Sequence, residues 1–300
     1  MNAPSILASC IFATLFLSSP STSAELRKSS SLSPSLRLDS EESRNQGSRT
    51  NAKAPQRARR TIPDRVRTYR TRTSSTHEGK VNEKPPVRVL IIGDSMAATD
   101  FGRELQKKLR RRDKTKCFRK GKSSTGLARP DFYDWMSEGK RQIRKTKPDV
   151  VIVIVGGNDG QDLIDKAKKK RRIFWRGKKW EASYAQRIND FVTLLKEPER
   201  HVLWLELPAM DRQRLERKLK LIREVQKAAI EDIGDRTHYV RTAQHFYDSS
   251  GKLIRKIRDL KKRKKVPLRQ EDGIHFSLAG SKYFADRVFK QVDEILTAID

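Results

Sequence analysis

Apolar positions in residues 87–300 fall into short continuous runs and into stripes with helical spacing. The runs Val87–Ile92, Asp149–Val155 and His201–Leu207 each stop at glycine or proline, so they predict strands. The second run is apolar on both faces, which is typical of a strand covered on both sides in a parallel sheet. A shorter run, Tyr239–Val240, indicates one more strand.

Four stripes of apolar residues spaced three or four apart predict helices between and after these strands. The stripes are Phe101, Leu105 and Leu109; Tyr184, Ile188, Phe191 and Leu195; Leu215, Leu219, Ile222 and Val225; and Phe284, Val288, Val292, Ile295 and Ile299. Alternation of strands and helices predicts an α/β fold, a three-layer α/β/α sandwich with a central parallel sheet. Ligands of such sheets bind beyond the carboxyl ends of the strands, so functional residues are expected in the loops there.

Residues 1–24 differ from the rest of the chain because they carry no charged side chain. Ile6–Leu17 is nearly all apolar or small, Pro20 follows it, and Thr22–Ala24 offers the small residues of a cleavage site. This pattern predicts a secretory signal peptide, and with it an exported protein that is periplasmic or secreted. An uncleaved anchor or an unstructured start is the alternative.

Residues 25–86 are rich in Ser, Arg, Thr and Pro, and their sparse apolar positions show no period. Such a segment buries too little apolar surface to offset its chain entropy, so we predict a disordered basic linker. It could hold the folded part off a membrane or wall, contact a polyanion, or merely keep the chain in solution. The folded domain is predicted to span residues 87–300.

Charge and cysteine content narrow the class of protein. The 300 residues include 67 Lys and Arg against 37 Asp and Glu, a formal net charge of +30, of which +22 lies on residues 87–300. A hydrophobic fraction of 35% excludes a multi-span membrane protein. Two cysteines exclude a disulfide framework, and Cys117, in a candidate strand, is predicted to be a buried and inert thiol.

Residues with catalytic chemistry concentrate in four loops. Gly93–Ser95 follows the first strand, Gly126 lies in a short turn, and Gly156–Asp159 follows the most apolar strand. Asp272–His275 precedes the last helix, where the Asp can orient the imidazole through a hydrogen bond. Each loop alone is also an ordinary turn or helix-capping sequence. Together, and in this order, the four are specific.

These four loops resemble the motif blocks of the SGNH, or GDSL-type, hydrolase superfamily across essentially all of residues 87–300. Ser124–Trp135 and Asp272–Ser277 are similar to one bacterial, largely exported branch that is catalogued mainly as a domain of unknown function. Met96 stands where the GDSL motif has leucine, at a position expected to pack rather than react. The resemblance implies the flavodoxin-like SGNH hydrolase fold and cleavage of ester bonds.

The resemblance also implies a role for each residue of the site. Ser95 would be the nucleophile, His275 the base that takes its proton, and Asp272 the group that orients the imidazole. The oxyanion hole would consist of the backbone N–H groups of Ser95 and Gly126 and the side-chain amide of Asn158.

Two further acidic residues in these loops, Asp94 and Asp159, are interpreted as structural, because a carboxylate in a turn readily accepts nearby N–H groups. No spacing of ligands indicates a metal, and no phosphate-binding motif indicates a nucleotide, so no cofactor is expected. The other four histidines (His77, His201, His238 and His245) lack an acidic neighbour at this spacing and are interpreted as structural or solvated.

Three basic runs occur, at Lys107–Lys122, Lys166–Arg172 and Lys261–Lys265. The last two should lie near the rim of the site, where they would attract an anionic polymer such as an acidic envelope polysaccharide. Trp175 and Trp180 could stack on sugar rings there; the alternative is a solvated basic surface with both indoles packed down. The attraction to polyanions would be non-specific, and no specific binding of a nucleic acid is expected. Contact with a membrane would occur only through an uncleaved leader.

The function expected from the sequence is that of an exported serine esterase that removes acetyl-like groups from a carbohydrate or another cell-envelope ester. An O-acetyltransferase would use the same triad, with a sugar hydroxyl in place of water. The third possibility is a non-catalytic, polyanion-binding envelope protein on a hydrolase scaffold, since a fold alone does not prove activity.

Overall fold

The computed structural model describes residues 84–165, 171–259 and 262–299. The predicted leader at 1–24 and nearly all of the predicted linker at 25–86 lie outside these residues and stay predictions. The same applies to residues 166–170 of the second basic run and to Lys261 of the third. Among the described residues, no helix is long and apolar enough to span a bilayer.

The described residues form strands and helices in alternating order. The strands are β1 (Val87–Gly93), β2 (Thr115–Gly121), β3 (Val150–Ile154), β4 (Leu163–Asp165), β5 (Arg171–Ile173), β6 (His201–Leu205), β7 (Thr237–Val240), β8 (Lys256–Asp259) and β9 (Lys264–Pro267). The helices are α1 (Ser95–Ala98), α2 (Asp100–Leu109), α3 (Trp135–Thr146), α4 (Trp180–Lys196), α5 (Gln213–Ile233), α6 (Leu278–Ile299) and a 3-10 turn at Ala243–Phe246.

Five parallel strands form the central sheet in the order β2-β1-β3-β6-β7. This is the flavodoxin-like order, and with helices flanking the sheet it confirms the predicted three-layer α/β/α sandwich. The register is continuous from Val87 opposite Thr115 to Gly93 opposite Gly121, and Gly93 also lies opposite Ile154 of β3. Every residue of β3 is buried, as its two apolar faces predict.

The helices pack in two groups. In one group α2 packs against α6, and in the other both α3 and α5 pack against α4. The predicted stripes supply the packed faces: Phe101, Leu105 and Leu109 are fully buried, and the ring of Phe101 stacks on Phe284 at 4.2 Å between centroids. In α6 the fully buried position near the end is Leu296, whereas the predicted Ile295 is half-buried.

Several elements had no signal in the apolar pattern. Helix α3 buries Trp135, Gly139, Gln142 and Thr146, a face too polar and too small to form an apolar stripe. Two antiparallel hairpins, β4–β5 and β8–β9, project as separate two-stranded sheets. His238 lies within β7, directly before the predicted Tyr239–Val240 run.

The end of β1 determines where the loop that carries Ser95 lies. A Cβ added to Gly93 would come within 1.8 Å of the carbonyl oxygen of Ile154, so only glycine permits β1 and β3 to approach here. The strand order reverses between β1 and β3, which places the crevice of this fold beyond their carboxyl ends. The loops carrying Ser95 and Asn158 both leave the sheet at that point.

Cys117 lies in β2 and is 3% exposed. Burial raises the pKa of its thiol to about 12, so the sulfur stays protonated at neutral pH. The predicted burial of this thiol is confirmed.

Candidate active site

A cleft of 390 Å³ brings Ser95, Asn158 and His275 together. Its remaining walls are Asp94, Met96, Thr99, Ser123, Ser124, Gly157, Leu207, Met210, Leu215, Gln270 and Ile274. All four predicted loops therefore contribute residues to one cavity, the loop of Gly126 through Ser124, although His275 is 180 positions after Ser95 in the sequence.

Asp94 holds the Ser95 loop against the Asn158 loop. It caps α1 by accepting the N–H of Met96 on Oδ1, and it accepts the N–H of Gly157 on Oδ2, both at 2.9 Å. The carboxyl is buried, and this burial raises its pKa to about 6 even though the two N–H groups act in the opposite direction. The structural role predicted for Asp94 is confirmed.

Asp159 anchors the Gly126 turn in the same way. Its carboxylate accepts the backbone N–H groups of Leu127 at 3.0 Å and Ala128 at 2.8 Å, and the hydroxyl of Tyr184 at 2.8 Å. Burial raises its pKa. A Cβ on Gly126 would lie 1.9 Å from Oδ1 of Asp159, so glycine is required for this approach.

Gly126 itself lines a neighbouring cavity of 370 Å³ and does not appear among the walls of the cleft. Its link to the cleft runs through Thr125, whose carbonyl accepts the amide N–H of Asn158 at 2.9 Å. Within the described part of the chain, the backbone N–H groups of Ser95 and Gly126 and the second amide hydrogen of Asn158 have no acceptor.

The Asp272–His275 turn forms the other side of the cleft. Oδ2 of Asp272 lies 2.6 Å from Nδ1 of His275, while Oδ1 accepts the N–H groups of Ile274 at 2.8 Å and His275 at 2.9 Å. Burial acts to raise the pKa of Asp272, but the imidazole and the two N–H groups outweigh it, and the pKa is lowered. The proton of the neutral imidazole therefore lies on Nδ1, which leaves Nε2 unprotonated.

The Oγ of Ser95 makes no hydrogen bond to His275 or to any other described residue. Hydrogen bonds between a nucleophile and its base are often long without substrate and tighten when it binds. The structure places the two groups in one cleft and leaves Oγ without a competing partner.

Two arginines that sequence reasoning missed hold the Asp272–His275 turn. Arg269, 8% exposed, donates to the carbonyls of Ile274 and Ala209, and its guanidinium lies 4.4 Å from the centroid of the Phe276 ring. Burial lowers its pKa to about 10. Arg212 donates from Nε to the carbonyl of Asp272 at 2.7 Å. Among 67 basic residues, neither has a distinguishing sequence signal.

The two tryptophans of the basic insertion have different environments. Trp180 is fully buried and stacks on Tyr184, so it cannot meet a sugar ring, and for this residue the packed alternative is correct. Trp175 is half-buried and contacts Trp180 edge-on at 4.4 Å. The rings of His201 and His238 stack on each other, and His245 contacts Gln291, away from the residues that line the cleft.

A family model described as "Protein of unknown function (DUF459)" matches residues 88–291. The chain belongs to this family. The DUF459 match covers every candidate residue from Ser95 to His275, in agreement with the branch that the motifs around Gly126 and Asp272 resemble. No curated protein matches the sequence.

Solved structures share the fold of this DUF459 protein at low sequence identity. A variant of an acetyl xylan esterase from Geobacillus stearothermophilus is 17% identical with a TM-score of 0.50, over 69% of this chain and 95% of that chain. An alpha/beta hydrolase enzyme from the metagenome of Lake Arreo, Spain, is 15% identical with a TM-score of 0.48, over 69% and 94%. A GDSL-like lipase from Bacteroides thetaiotaomicron is 14% identical with a TM-score of 0.47, over 69% and 88%. The likeness to the esterase variant, at a TM-score of 0.50, agrees with the α/β fold.

Proposed function

We propose that this protein is an exported serine esterase that removes small acyl groups, such as acetyl, from a carbohydrate or another cell-envelope ester. One observation carries the proposal: Ser95, Asn158 and His275 line one cleft while Asp272 holds Nδ1 of the imidazole at 2.6 Å. A nucleophile, a base, a group that orients the base and an amide donor are the parts that acyl transfer requires.

In the proposed reaction, Oγ of Ser95 attacks the ester carbonyl carbon as Nε2 of His275 takes its proton. The resulting oxyanion accepts hydrogen bonds from the backbone N–H of Ser95 and from the side-chain amide of Asn158, while Gly126, predicted as a third donor, lines the neighbouring cavity and not the cleft. The imidazolium, stabilised by Asp272, then protonates the leaving alcohol as the carbon–oxygen bond breaks. Water repeats these steps on the acyl-enzyme, which releases the acid and restores the serine hydroxyl.

The walls of the cleft favour a small acyl group. A volume of 390 Å³ is near the lower end for ligand cavities and must hold both the acyl group and part of the alcohol. Leu207, Met210 and Leu215 supply apolar contact, while Ser123, Ser124 and Gln270 supply polar groups that suit a hydroxylated alcohol. A carbohydrate alcohol is consistent with the fold shared with an acetyl xylan esterase.

Export and attraction to polyanions belong to the proposal as well. Export rests on the uncharged, apolar segment at residues 1–24 and is tested by the N-terminal residue of the protein recovered from a periplasmic extract. Polyanion attraction rests on the formal charge of +30. Activity on a polyanionic ester that stays constant between low and moderate ionic strength would argue against such attraction.

The test of the activity is a panel of acylated sugars and simple esters, assayed with wild type and Ser95→Ala. Wild type should release acid and react with a fluorophosphonate at Ser95, and the variant should do neither. Undiminished turnover by Ser95→Ala would exclude the triad, and a folded wild type that neither turns over esters nor labels would favour a binding protein. Adding an acceptor sugar and analysing its products distinguishes an O-acetyltransferase from a hydrolase.

A further inference from the structure

A second cavity adjoins the cleft, and its walls are mainly polar. It measures 390 Å³ and contains the side chains of Arg129, Arg172, Trp175 and Lys218, which we call the basic cavity. Three positively charged side chains face it, and the lining contains a single carboxylate, that of Asp162. The catalytic cleft, in contrast, has no lysine or arginine in its lining.

Lys218 brings a charge that no carboxylate in the described part of the chain neutralises. Its Nζ donates to the carbonyl of Gly160 at 2.6 Å and lies 5.6 Å from the centroid of the Trp175 ring. A Cβ on Gly160 would come within 2.8 Å of Cδ of Lys218, so the aliphatic stem lies directly on this loop. The ammonium is therefore held in place by packing, and two of its three hydrogens remain for a ligand.

The two arginines are only partly engaged. Arg172 reaches Asp162 at 3.9 Å, which is beyond hydrogen-bond distance, and its side chain is 66% exposed. Arg129 uses Nε and Nη2 on the two oxygens of Asp131, each at 2.9 Å, which leaves Nη1 without an acceptor among the described residues. Guanidinium groups with free donors match the oxygens of a carboxylate or a phosphate.

The basic cavity and the catalytic cleft have no lining residue in common, but residues close together in the sequence line both of them. Gly160 and Gln161 line the basic cavity and directly follow Asn158, which lines the cleft. Nε2 of Gln161 donates to the carbonyl of Asn158 at 2.5 Å, so the two parts of the loop are joined. On helix α5, Lys218 lies one turn after Leu215 of the cleft. Binding of one ligand to both cavities requires it to extend along this loop from one cavity to the other.

We propose that the basic cavity binds the anionic group of a saccharide ester, a carboxylate or phosphate carried close to the acylated hydroxyl. This inference rests on the proposed esterase function and names the class of substrate. Lys218 and the arginines bind the anion. Trp175 lines the cavity for the sugar ring; Trp180 contacts its ring edge-on, and its backbone N–H donates to Asp162 at 2.8 Å.

The test compares three acetylated methyl glycosides that differ at one carbon: a glucuronoside, a glucoside 6-phosphate and the neutral glucoside. Wild type should prefer at least one anionic ester by about tenfold in kcat/KM at low salt. Which of the two anions is preferred identifies the group recognised. In Lys218→Met the ratio of anionic to neutral kcat/KM should fall to near one.

Lys220→Met is the matched control, because it removes the same charge from an exposed position of the same helix and should keep the wild-type ratio. Arg172→Ala is the second variant and should also lower the ratio. An equal loss on anionic and neutral esters in Lys218→Met means that the lysine only supports the loop, which overturns the proposal. A wild type without preference overturns it as well.

Failure of the esterase proposal is distinguishable from failure of this one. If no ester is cleaved, the basic cavity is tested by tryptophan fluorescence of the wild type with a glucuronic acid trisaccharide and a neutral trisaccharide. The acidic probe alone should change the emission, and the change should disappear in Lys218→Met and in Trp175→Phe. An equal response to both probes overturns the assignment.

Discussion

The two sides of the cleft are held by side chains of opposite charge. On the side of Ser95 and Asn158, the buried carboxylates of Asp94 and Asp159 accept backbone N–H groups. On the side of Asp272–His275, Arg269 and Arg212 donate to backbone carbonyls instead. We call these the serine side and the histidine side.

The difference follows from which backbone groups each loop leaves without a partner. The serine side is built from a helix start and tight turns, which expose N–H groups, and a carboxylate is the acceptor that satisfies two of them at once. The turn of the histidine side presents the carbonyls of Asp272 and Ile274, and a guanidinium has the several donors that these oxygens need. The unpaired backbone group therefore determines whether a carboxylate or a guanidinium holds each loop.

The largest expected effect comes from removing one reacting group from each side. Ser95→Ala and His275→Ala should each lower kcat on a simple ester by roughly 10⁴-fold or more, because the two groups act on one proton. The double variant should be no worse than the more damaged single variant. Steady-state kinetics measures all three, and multiplicative losses in the double variant would mean that the two sides act independently.

A smaller loss is expected from the donor on the serine side. Asn158→Ala should lower kcat by roughly 10²–10³-fold with little change in KM, because the amide stabilises charge that develops only in the transition state. The comparison of kcat and KM on one soluble ester is the measurement, with the urea unfolding midpoint as the control for folding. A rise in KM at constant kcat would assign Asn158 to ground-state binding.

The two sides should also differ in the sign of their pH dependence. The pKa of Asp94 is raised from 3.8 to about 6, so the folded state holds this proton more tightly than the unfolded state does. Its contribution to stability is present below the unfolded pKa and is lost as the pH rises through 6. Relative to Asp94→Asn, wild type should lose about 2 kcal/mol of unfolding free energy between about pH 4 and pH 7.

Asp272 should behave in the opposite sense, because its pKa is lowered in the folded state. Relative to Asp272→Asn, wild type should gain unfolding free energy as the pH rises through the acid range, and it should lose that gain on acidification. Urea unfolding at a series of pH values measures both differences. The difference in unfolding free energy between wild type and each variant is plotted against pH. The same sign of slope for both variants would contradict the contrast between the two sides.

The smallest expected effects distinguish the two arginines of the histidine side. Arg269→Met leaves two carbonyls unpaired near the imidazole. This variant should lower kcat/KM by about tenfold, mostly through a fall in kcat and with a smaller change in KM. Arg212→Ala removes a donor at an exposed position, where water can replace it, and should cost less than about twofold. Equal losses in the two variants would show that burial of the anchor does not matter.

Much of the fold follows from patterns that are local in the sequence. Strands β1, β3 and β6 and four of the helices have continuous apolar runs or helical stripes, since one buried face suffices to specify each of them. Helix α3 has no such stripe because its buried face includes Gly139, Gln142 and Thr146. Hairpins β4–β5 and β8–β9 are short and largely polar, so their pairing partners are visible only in three dimensions.

The sequence by itself determined the main strands of the sheet and four of the helices, the loops that carry Ser95, Asn158 and His275, and the pairing of Asp272 with His275, because all of these depend on spacing over a few residues. Only the tertiary structure decided what holds the loops together. Asp159 at Gly126, Lys218 at Gly160 and Arg269 at Ala209 meet across separations of 33 to 60 positions. Such contacts depend on how parallel strands and crossovers bring separate loops to one edge of a sheet, and no local pattern encodes them.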